Sequence, residues 1–304
     1  MQLTPDIITG SVAMLIGSAL YAVSVVIYRS QKDEITPLAI SSIKMWIALG
    51  FMSLMILFPF WGNPLMVPIE STVLLSISVI CGAVIGDTLY LTAQERIGVS
   101  YAFPISMSFP ILTYFFTIIF LNEALILSRL IGVLVAVIGI SILALEQEFN
   151  NDKHDAPERR NGLDRIGLAF ALLTALLYAT GTTILQVGVA DVEPVAATFI
   201  RVVVGSITFV PLIAVAKSIG MPNPTRNATK MVAIAGFFGM AVGSLLYVTG
   251  IKYAGATIGS VLASLAPLYA VPISIIFLKE SMTSRAGIGA IATIIGVILV
   301  ILGV

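Results

Sequence analysis

The chain has 304 residues, of which 58% are hydrophobic and 11% are charged. Soluble domains carry roughly 25% charged residues, so most of this surface must face lipid, and a water-soluble globular protein is excluded. The formal net charge is zero, which argues against a nucleic-acid partner because such partners bind cationic surfaces. The single cysteine, Cys81, excludes an intrachain disulfide.

Ten apolar segments are long enough to cross a bilayer, since a helical span needs about 20 mainly apolar residues. Met1 to Gly10 contains no Lys or Arg, so we expect the first segment to be a retained helix rather than a removed signal peptide. The longest polar connection, from Glu146 to Asp164, follows the fifth span. The predicted spans are 7–28, 37–60, 71–93, 98–121, 127–146, 165–187, 195–217, 230–251, 256–278 and 285–303.

The two halves of the chain repeat each other with an offset of 157 residues. We therefore predict a first five-helix repeat at 1–148, a polar linker at 149–164 and a second five-helix repeat at 165–304. Such internal duplication is typical of secondary transporters. The equivalent pairs are Gly10 and Gly167, Tyr21 and Tyr178, Pro37 and Pro194, Lys44 and Arg201, Gly82 and Gly239, Gly86 and Gly243, Tyr90 and Tyr247, Gly98 and Gly255, Pro110 and Pro267, Glu123 and Glu280, Gly132 and Gly289, and Gly139 and Gly296.

Five spans per repeat is an odd number, so the second repeat must enter the membrane from the face opposite to the first. The repeats are then inverted about a pseudo-two-fold axis that lies in the membrane plane. The sequence thus predicts an all-α membrane protein, with ten transmembrane helices arranged as two inverted five-helix repeats. We call the membrane face that carries both chain ends the termini side, and the face that carries the linker the linker side.

Basic residues in the loops predict the orientation of the chain. Twelve of the 16 Lys and Arg residues lie in linker-side loops. Arg129 and Lys252 lie on the termini side, and Lys44 and Arg201 lie inside spans. The positive-inside rule therefore predicts a cytoplasmic linker and external termini.

The paired residues resemble those of the EamA family, which belongs to the drug/metabolite transporter superfamily. The resemblance covers nearly the whole chain and implies export or exchange of small metabolites, often amino acids. The family often has Trp where this chain has Tyr21 and Tyr178, and its members are generally described with cytoplasmic termini, opposite to the loop-charge prediction. The resemblance rests on Tyr21 and Tyr178, Lys44 and Arg201, Pro110 and Pro267, and the Phe-Leu-x-Glu sequences that end at Glu123 and Glu280.

Asp87 is the only carboxylate deep within a predicted span. A charge at this depth needs a partner, water or a proton. Lys44 lies at a matching depth, since it is seven positions and Asp87 six positions from the linker-side ends of their spans, about 10 Å into the membrane. We expect the two to pair, either in substrate or proton binding or as a structural ion pair that orients two helices.

Arg201 has no equivalent partner, because Ser244 replaces Asp87 in the second repeat. The guanidinium could bind a substrate carboxylate in the interior. It could instead extend toward the interface past Asp191 or Glu193.

Pro110 and Pro267 lie near the middle of the fourth and ninth spans. Proline removes a backbone donor, and broken helices at equivalent positions in two halves point to a transporter site. We expect hinges there, with bends needed only for packing as the alternative. On the helical repeat, Phe103, Met107 and Tyr114 share a face with Pro110, and Ser260 and Ser264 share a face with Pro267. These faces would give a cavity one apolar-aromatic wall and one hydroxyl wall, unless they serve helix packing.

Two further helix faces carry polar and aromatic residues that we expect toward the central cavity, with simple packing as the alternative. These are Tyr21, Ser24 and Tyr28 in the first span, and Tyr178, Thr182 and Gln186 in the sixth. Tyr90 and Tyr247 lie near predicted interfaces, where tyrosine is enriched. Glu123 and Glu280 follow spans in tight turns, and we expect them to cap the next helix, with a gating role as the alternative.

The sequence offers little for enzymatic chemistry. Its single histidine, His154, lies in the linker, so no metal site or histidine relay is expected. No phosphate-binding loop is present, no second intramembrane aspartate accompanies Asp87, and no cofactor is expected.

The sequence therefore predicts a secondary active or exchange transporter of small organic metabolites, such as amino acids, that works by alternating access in the cell membrane. Export is the expected direction, protons are left open as the coupling ion, and a monomer or weak dimer is expected. A nucleotide-sugar or other solute carrier is the alternative within transport. A passive channel or scaffold is the alternative from another class.

Overall fold

The computed structural model describes residues 4–31, 33–57, 66–151, 164–269 and 283–303, and these ranges are mainly helical, without strands. Two π-helical segments, π1 and π2, interrupt the third and eighth spans at equivalent positions. The first repeat contains α1 (Pro5–Ser30), α2 (Pro37–Ile56), α3 (Ile69–Val79), π1 (Ile80–Gly86), α4 (Asp87–Ile97), α5 (Val99–Ser106), α6 (Phe109–Leu121) and α7 (Leu127–Asn151). The second contains α8 (Arg165–Val189), α9 (Pro194–Ser218), α10 (Arg226–Gly236), π2 (Phe237–Val242), α11 (Gly243–Ala263), a helical turn at 266–269 and α12 (Ser284–Leu302).

Within the described ranges, nine helical runs are long and apolar enough to cross a membrane. The ninth predicted span, 256–278, is described only as far as residue 269. The predicted all-α membrane fold with two repeats is confirmed. Most of the predicted linker and the second Phe-Leu-x-Glu sequence, at 277–280, lie outside the described residues.

Glycine permits the turn between the third and fourth spans of each repeat. Gly98 has a φ of 76° and its equivalent, Gly255, has a φ of 82°. Their ψ values of 163° and 166° place both in a region that is essentially restricted to glycine. The two repeats therefore share the backbone conformation of these turns as well as their sequence pattern.

The fourth and ninth spans are broken near Pro110 and Pro267, as predicted. In the fourth span α5 ends at Ser106 and α6 begins at Phe109, so Pro110 lies in the first turn of the new helix. In the ninth span α11 ends at Ala263, and Pro267 lies in the turn at 266–269. Proline fits there because the first turn of a helix needs no amide donors for intrahelical bonds.

The helix pairs with the most extensive contacts join one repeat to the other. They are α7 with α12, α1 with α11, α2 with α9, and α8 with the continuous span made by α3, π1 and α4. Neither repeat could bury these faces alone, so the two repeats form one helix bundle.

Glycine stripes allow α7 and α12 to approach closely, as expected for small residues in membrane helices. A Cβ atom on Gly296 would lie 2.4 Å from the backbone nitrogen of Ala136. A Cβ atom on Gly139 would lie 2.5 Å from the backbone nitrogen of Thr293. Since these neighbours are backbone atoms, they cannot rotate away from an added side chain.

We expect Gly296→Ala to lower the free energy of unfolding by about 1–3 kcal/mol, because the added methyl group would push two backbones apart. Gly50→Ala is the matched control, since a Cβ atom there meets nothing within 4 Å. Alanine favours the helix over glycine, so the control should be neutral or slightly stabilising. Thermal unfolding in detergent compares the two variants, and equal melting temperatures would contradict this packing.

Candidate functional site

The Asp87 carboxylate contacts both repeats from its position at the start of α4. Its Oδ2 atom forms an ion pair with the Lys44 ammonium group of α2. Its Oδ1 atom accepts a hydrogen bond of 2.6 Å from the Tyr178 hydroxyl of α8. The Lys44 and Asp87 side chains are 3% and 13% exposed. The predicted ion pair is confirmed. The Lys44 ammonium and the Tyr178 hydroxyl replace the water molecules that would solvate an exposed carboxylate.

The π-helical segment before Asp87 brings this carboxylate to Tyr178. Gly86, the last residue of π1, leaves room for the tyrosine ring, since a Cβ atom there would lie 2.9 Å from Cε1 of Tyr178. Ile80 and Gly86 of π1 correspond to Phe237 and Gly243 in the second repeat, where π2 occupies the same place. Single π-helical turns are rare and frequently lie at functional sites.

Tyr21 and Tyr178 are equivalent residues, and their side chains lie near each other beside Asp87. The pseudo-two-fold axis therefore passes between them, beside Asp87. Other aromatic rings hold Tyr178 in place. Its ring centroid lies 5.5 Å from that of Phe109 and 6.4 Å from that of Tyr90. The predicted site residue Phe103 packs behind Tyr90, with its ring centroid at 6.4 Å.

Tyr90 and Tyr247 do not form the interfacial belt that their positions in the sequence suggest. Tyr90 is 1% exposed and packs between Phe103 and Tyr178. The Tyr247 hydroxyl lies 2.7 Å from the Thr182 hydroxyl of α8, inside the bundle. That prediction is wrong because Tyr90 packs on aromatic rings from both repeats, and Tyr247 contacts α8 of its own repeat. Thr182, a predicted site residue, is thereby placed against Tyr247.

Arg201 of α9 faces the interior and is 5% exposed. Its Nη1 atom donates a hydrogen bond to Ser78 Oγ in α3. Ser78 Oγ donates in turn to the carbonyl oxygen of Gly181, at 2.7 Å. Among the described residues, neither Asp191 nor Glu193 pairs with Arg201. The side chain therefore does not extend to the interface, and the interior alternative agrees with the structure.

Three of the predicted site hydroxyls bond to backbone carbonyls. Ser24 Oγ lies 2.8 Å from the carbonyl oxygen of Ala235, so it joins α1 to α10. Ser260 donates to Thr257 and Ser264 donates to Ser260, both at 2.9 Å and both within the ninth span. These bonds occupy the hydroxyl protons in this conformation, and solute contact by these serines stays a prediction.

The predicted face of the fourth span is not continuous. The helix stops at Met107, so residues on either side of the break do not follow one helical repeat. Tyr114 lies beyond the break and fastens α6 to the next turn, where its hydroxyl accepts a hydrogen bond of 2.9 Å from the Ile126 amide. Tyr114 is fully buried, so its present contacts are structural.

Glu123 joins the two repeats on the termini side. Asn122 ends α6 in the left-handed region, with a φ of 54°, and turns the chain toward α7. The Glu123 carboxylate pairs with Arg129 and accepts a hydrogen bond of 2.8 Å from the Thr257 hydroxyl in the second repeat. We expected Glu123 to cap the next helix, and the contacts described for its carboxylate are instead with the side chains of Arg129 and Thr257. Glu280 lies outside the described residues.

Two further contacts lie on the termini side, both within the second repeat. Gln186 Oε1 accepts a hydrogen bond of 2.6 Å from the Ala256 amide, directly after the Gly255 turn. Lys252 Nζ donates to the carbonyl oxygen of Val192 at 2.9 Å. Gln186 was predicted to face the cavity, but its side chain caps the backbone at the start of the ninth span.

The linker side has a cavity of about 330 Å³ between the first loop, the end of α4 and the loop before α10. Ile35 and Glu95 in its wall are the equivalents of Val192 and Lys252. A contact on the termini side thus corresponds to a surface pocket between loops on the linker side. The lining residues are Asp33, Glu34, Ile35, Thr36, Pro37, Glu95, Pro222, Asn223 and Thr225.

Arg96 and Asp164 form an exposed ion pair at the linker-side surface, with 2.9 Å between Nη1 and Oδ2. The hydrogen bond from Arg96 lowers the pKa of Asp164, with a further contribution from the Ile166 amide. Solvent screens such a pair strongly, so it contributes little to stability. This exposed ion pair can therefore be compared with the buried pair of Lys44 and Asp87.

The sequence matches the EamA-like transporter family over residues 8–145 and 165–302. Two proteins of Archaeoglobus fulgidus, each named an uncharacterized transporter, are similar to it. One is 27% identical over 128 residues, which cover 42% of this chain and 45% of that protein. The other is 24% identical over 237 residues, or 78% of each chain. The chain thus matches less than half of the first relative's length.

A solved crystal structure has the same fold. It superposes with a TM-score of 0.74 at 18% sequence identity, covering 98% of this chain and 97% of the other. At this identity the likeness concerns the fold alone.

The buried pair of Lys44 and Asp87 should contribute to the free energy of unfolding. We expect Asp87→Asn or Lys44→Met alone to cost about 3–5 kcal/mol, because each leaves a buried charge without its partner. The double variant Lys44→Met/Asp87→Leu should recover much of this loss, since it removes both charges. Chemical denaturation of the purified protein measures the differences.

Asp164→Asn is the matched control, since it breaks an exposed pair of the same type and should leave the unfolding midpoint unchanged. Additive losses in the double variant would show that Lys44 and Asp87 do not stabilise each other.

Proposed function

The chain belongs to the EamA-like transporter family, and we propose that it is a secondary active or exchange transporter of small organic metabolites. Amino acids are the leading class of solute. The observation that carries the proposal is the Asp87 carboxylate, which Lys44 holds from one repeat and Tyr178 from the other. Polar groups inside a membrane bundle are costly and generally functional. A polar cluster at the interface of inverted repeats is where such carriers bind solutes.

The difference between the two membrane sides supports alternating access. On the termini side Lys252 bonds to Val192, whereas their equivalents, Glu95 and Ile35, line a surface pocket on the linker side. The repeats are still joined on the linker side by Arg96 with Asp164 and by Thr225 with Glu34. In the opposite state the repeats would exchange these arrangements. The breaks before Pro110 and Pro267 lie in equivalent spans and would act as the hinges.

Export is the direction we propose. The positive-inside rule puts the linker side in the cytoplasm, and the surface pocket lies on that side. An exporter takes up its solute from this side. Protonation of Asp87 would weaken its pairing with Lys44, which offers a route for proton coupling.

We propose that Tyr21, Lys44, Asp87, Tyr178 and Thr182 line the solute path in at least one state of the cycle. Of the remaining predicted site residues, Phe103 packs against the ring of Tyr90. Solute contact at Ser24, Met107, Tyr114, Ser260 and Ser264 requires the other state, since each of these is buried in this conformation.

We expect the purified protein in proteoliposomes to exchange a labelled amino acid against unlabelled solute with saturable kinetics. Asp87→Asn should abolish this counterflow in the fraction that remains folded, because the variant loses the charge that links the repeats. Asp164→Asn should retain it. Stimulation by an acid interior that Asp87→Asn abolishes would support proton coupling.

Unsaturable flux would contradict a carrier and indicate a channel. Saturable exchange of nucleotide sugars alone would support the alternative carrier class. Retained counterflow in Asp87→Asn would contradict the proposed role of the carboxylate.

A further inference from the structure

Arg201 is a buried cation that lacks an anionic partner. No carboxylate lies within 4.0 Å of it among the described residues. Its one described hydrogen bond goes to the neutral hydroxyl of Ser78, and its Nε atom has no acceptor. Guanidinium has five N–H donors in a rigid fork that suits carboxylates, so most of its binding capacity is unused here.

The second repeat differs from the first at the position that would neutralise this charge. Lys44, the equivalent of Arg201, pairs with Asp87, but Ser244 stands in the second repeat where Asp87 stands in the first. The interior charges of Lys44, Arg201 and Asp87 therefore sum to +1. Leaving such a charge unneutralised in a low-dielectric interior is unfavourable.

Arg201 belongs to the polar cluster between the repeats rather than to the membrane surface. It is 5% exposed, so it lies inside the helix bundle. Its contact with Ser78 crosses from α9 of the second repeat to α3 of the first. A solute that reaches this cluster would therefore meet the guanidinium.

We propose that Arg201 binds the carboxylate of the transported solute, and that the site selects solutes of net charge −1. The inference rests on the proposed transport function and deepens it. A monoanion brings the interior sum to zero, whereas a zwitterion leaves it at +1 and a cation raises it to +2. A dianionic phosphate ester would overshoot to −1. Organic monocarboxylates and acidic amino acids have the required charge.

Solutes of similar skeleton and different charge test this selection on the unmodified protein. One series is 4-methylpentanoate, L-leucine and L-leucinamide, and a second is L-glutamate and L-glutamine. Thermal stabilisation of the detergent-solubilised protein reports binding, because a ligand that binds the native state raises the melting temperature. We expect the monoanion of at least one series to bind about tenfold or more tightly than its neutral and cationic relatives.

The variant Arg201→Gln should remove the preference for the monoanion, whereas Arg226→Gln, at an exposed position at the start of α10, should retain it. Arg201→Lys keeps the charge without the fork and should retain part of the preference. If Arg201→Gln does not fold, the order in which the solutes stabilise the unmodified protein still tests the proposal. Equal or tighter binding of the neutral or cationic members, or no stabilisation by either monoanion, would overturn the proposal.

Counterflow separates failure of this inference from failure of the transport function. Saturable exchange of a neutral or cationic member in preference to the monoanion would leave the transporter proposal intact and overturn the role of Arg201. Unsaturable flux of every member would contradict both.

Discussion

A carboxylate inside a membrane protein must obtain from protein groups what water supplies elsewhere, and the arrangement around Asp87 follows from this requirement. Its two oxygen atoms take different partners, the Lys44 ammonium group from its own repeat and the Tyr178 hydroxyl from the other. Neither repeat alone completes the site. Any motion of one repeat against the other must therefore change the environment of this charge, which links conformation to binding.

The scaffold around Asp87 is symmetric and its chemistry is not. Glycine turns at Gly98 and Gly255 and the segments π1 and π2 occupy equivalent places in the two repeats. The charged groups break this symmetry, since Lys44 pairs with Asp87 whereas Arg201 pairs with no carboxylate among the described residues. An organic solute is itself asymmetric, so binding needs different chemistry from each repeat, while alternating access needs the same scaffold in both.

Much of the fold could be predicted because it follows from composition and repetition. Span number and inversion follow from hydrophobic length, and the Lys44–Asp87 pair follows from depth along two spans. The contacts of Tyr178 with Asp87 and of Glu123 with Thr257 could not be predicted, since they depend on which helix faces meet across the repeats. Tyr90 shows the same limit. Its position resembles an interfacial residue, and only tertiary packing shows that its ring lies inside the bundle. The offset of 157 residues could have suggested that Tyr21 and Tyr178 meet at the axis.

A double-mutant cycle measures directly whether Asp87 joins the two repeats through Tyr178. Denaturant unfolding of the unmodified protein, Asp87→Asn, Tyr178→Phe and the double variant gives the coupling free energy between the two side chains. We expect a coupling free energy of about 0.5–3 kcal/mol, as is found for residues in direct contact. Losses that add within about 0.3–0.5 kcal/mol would contradict it.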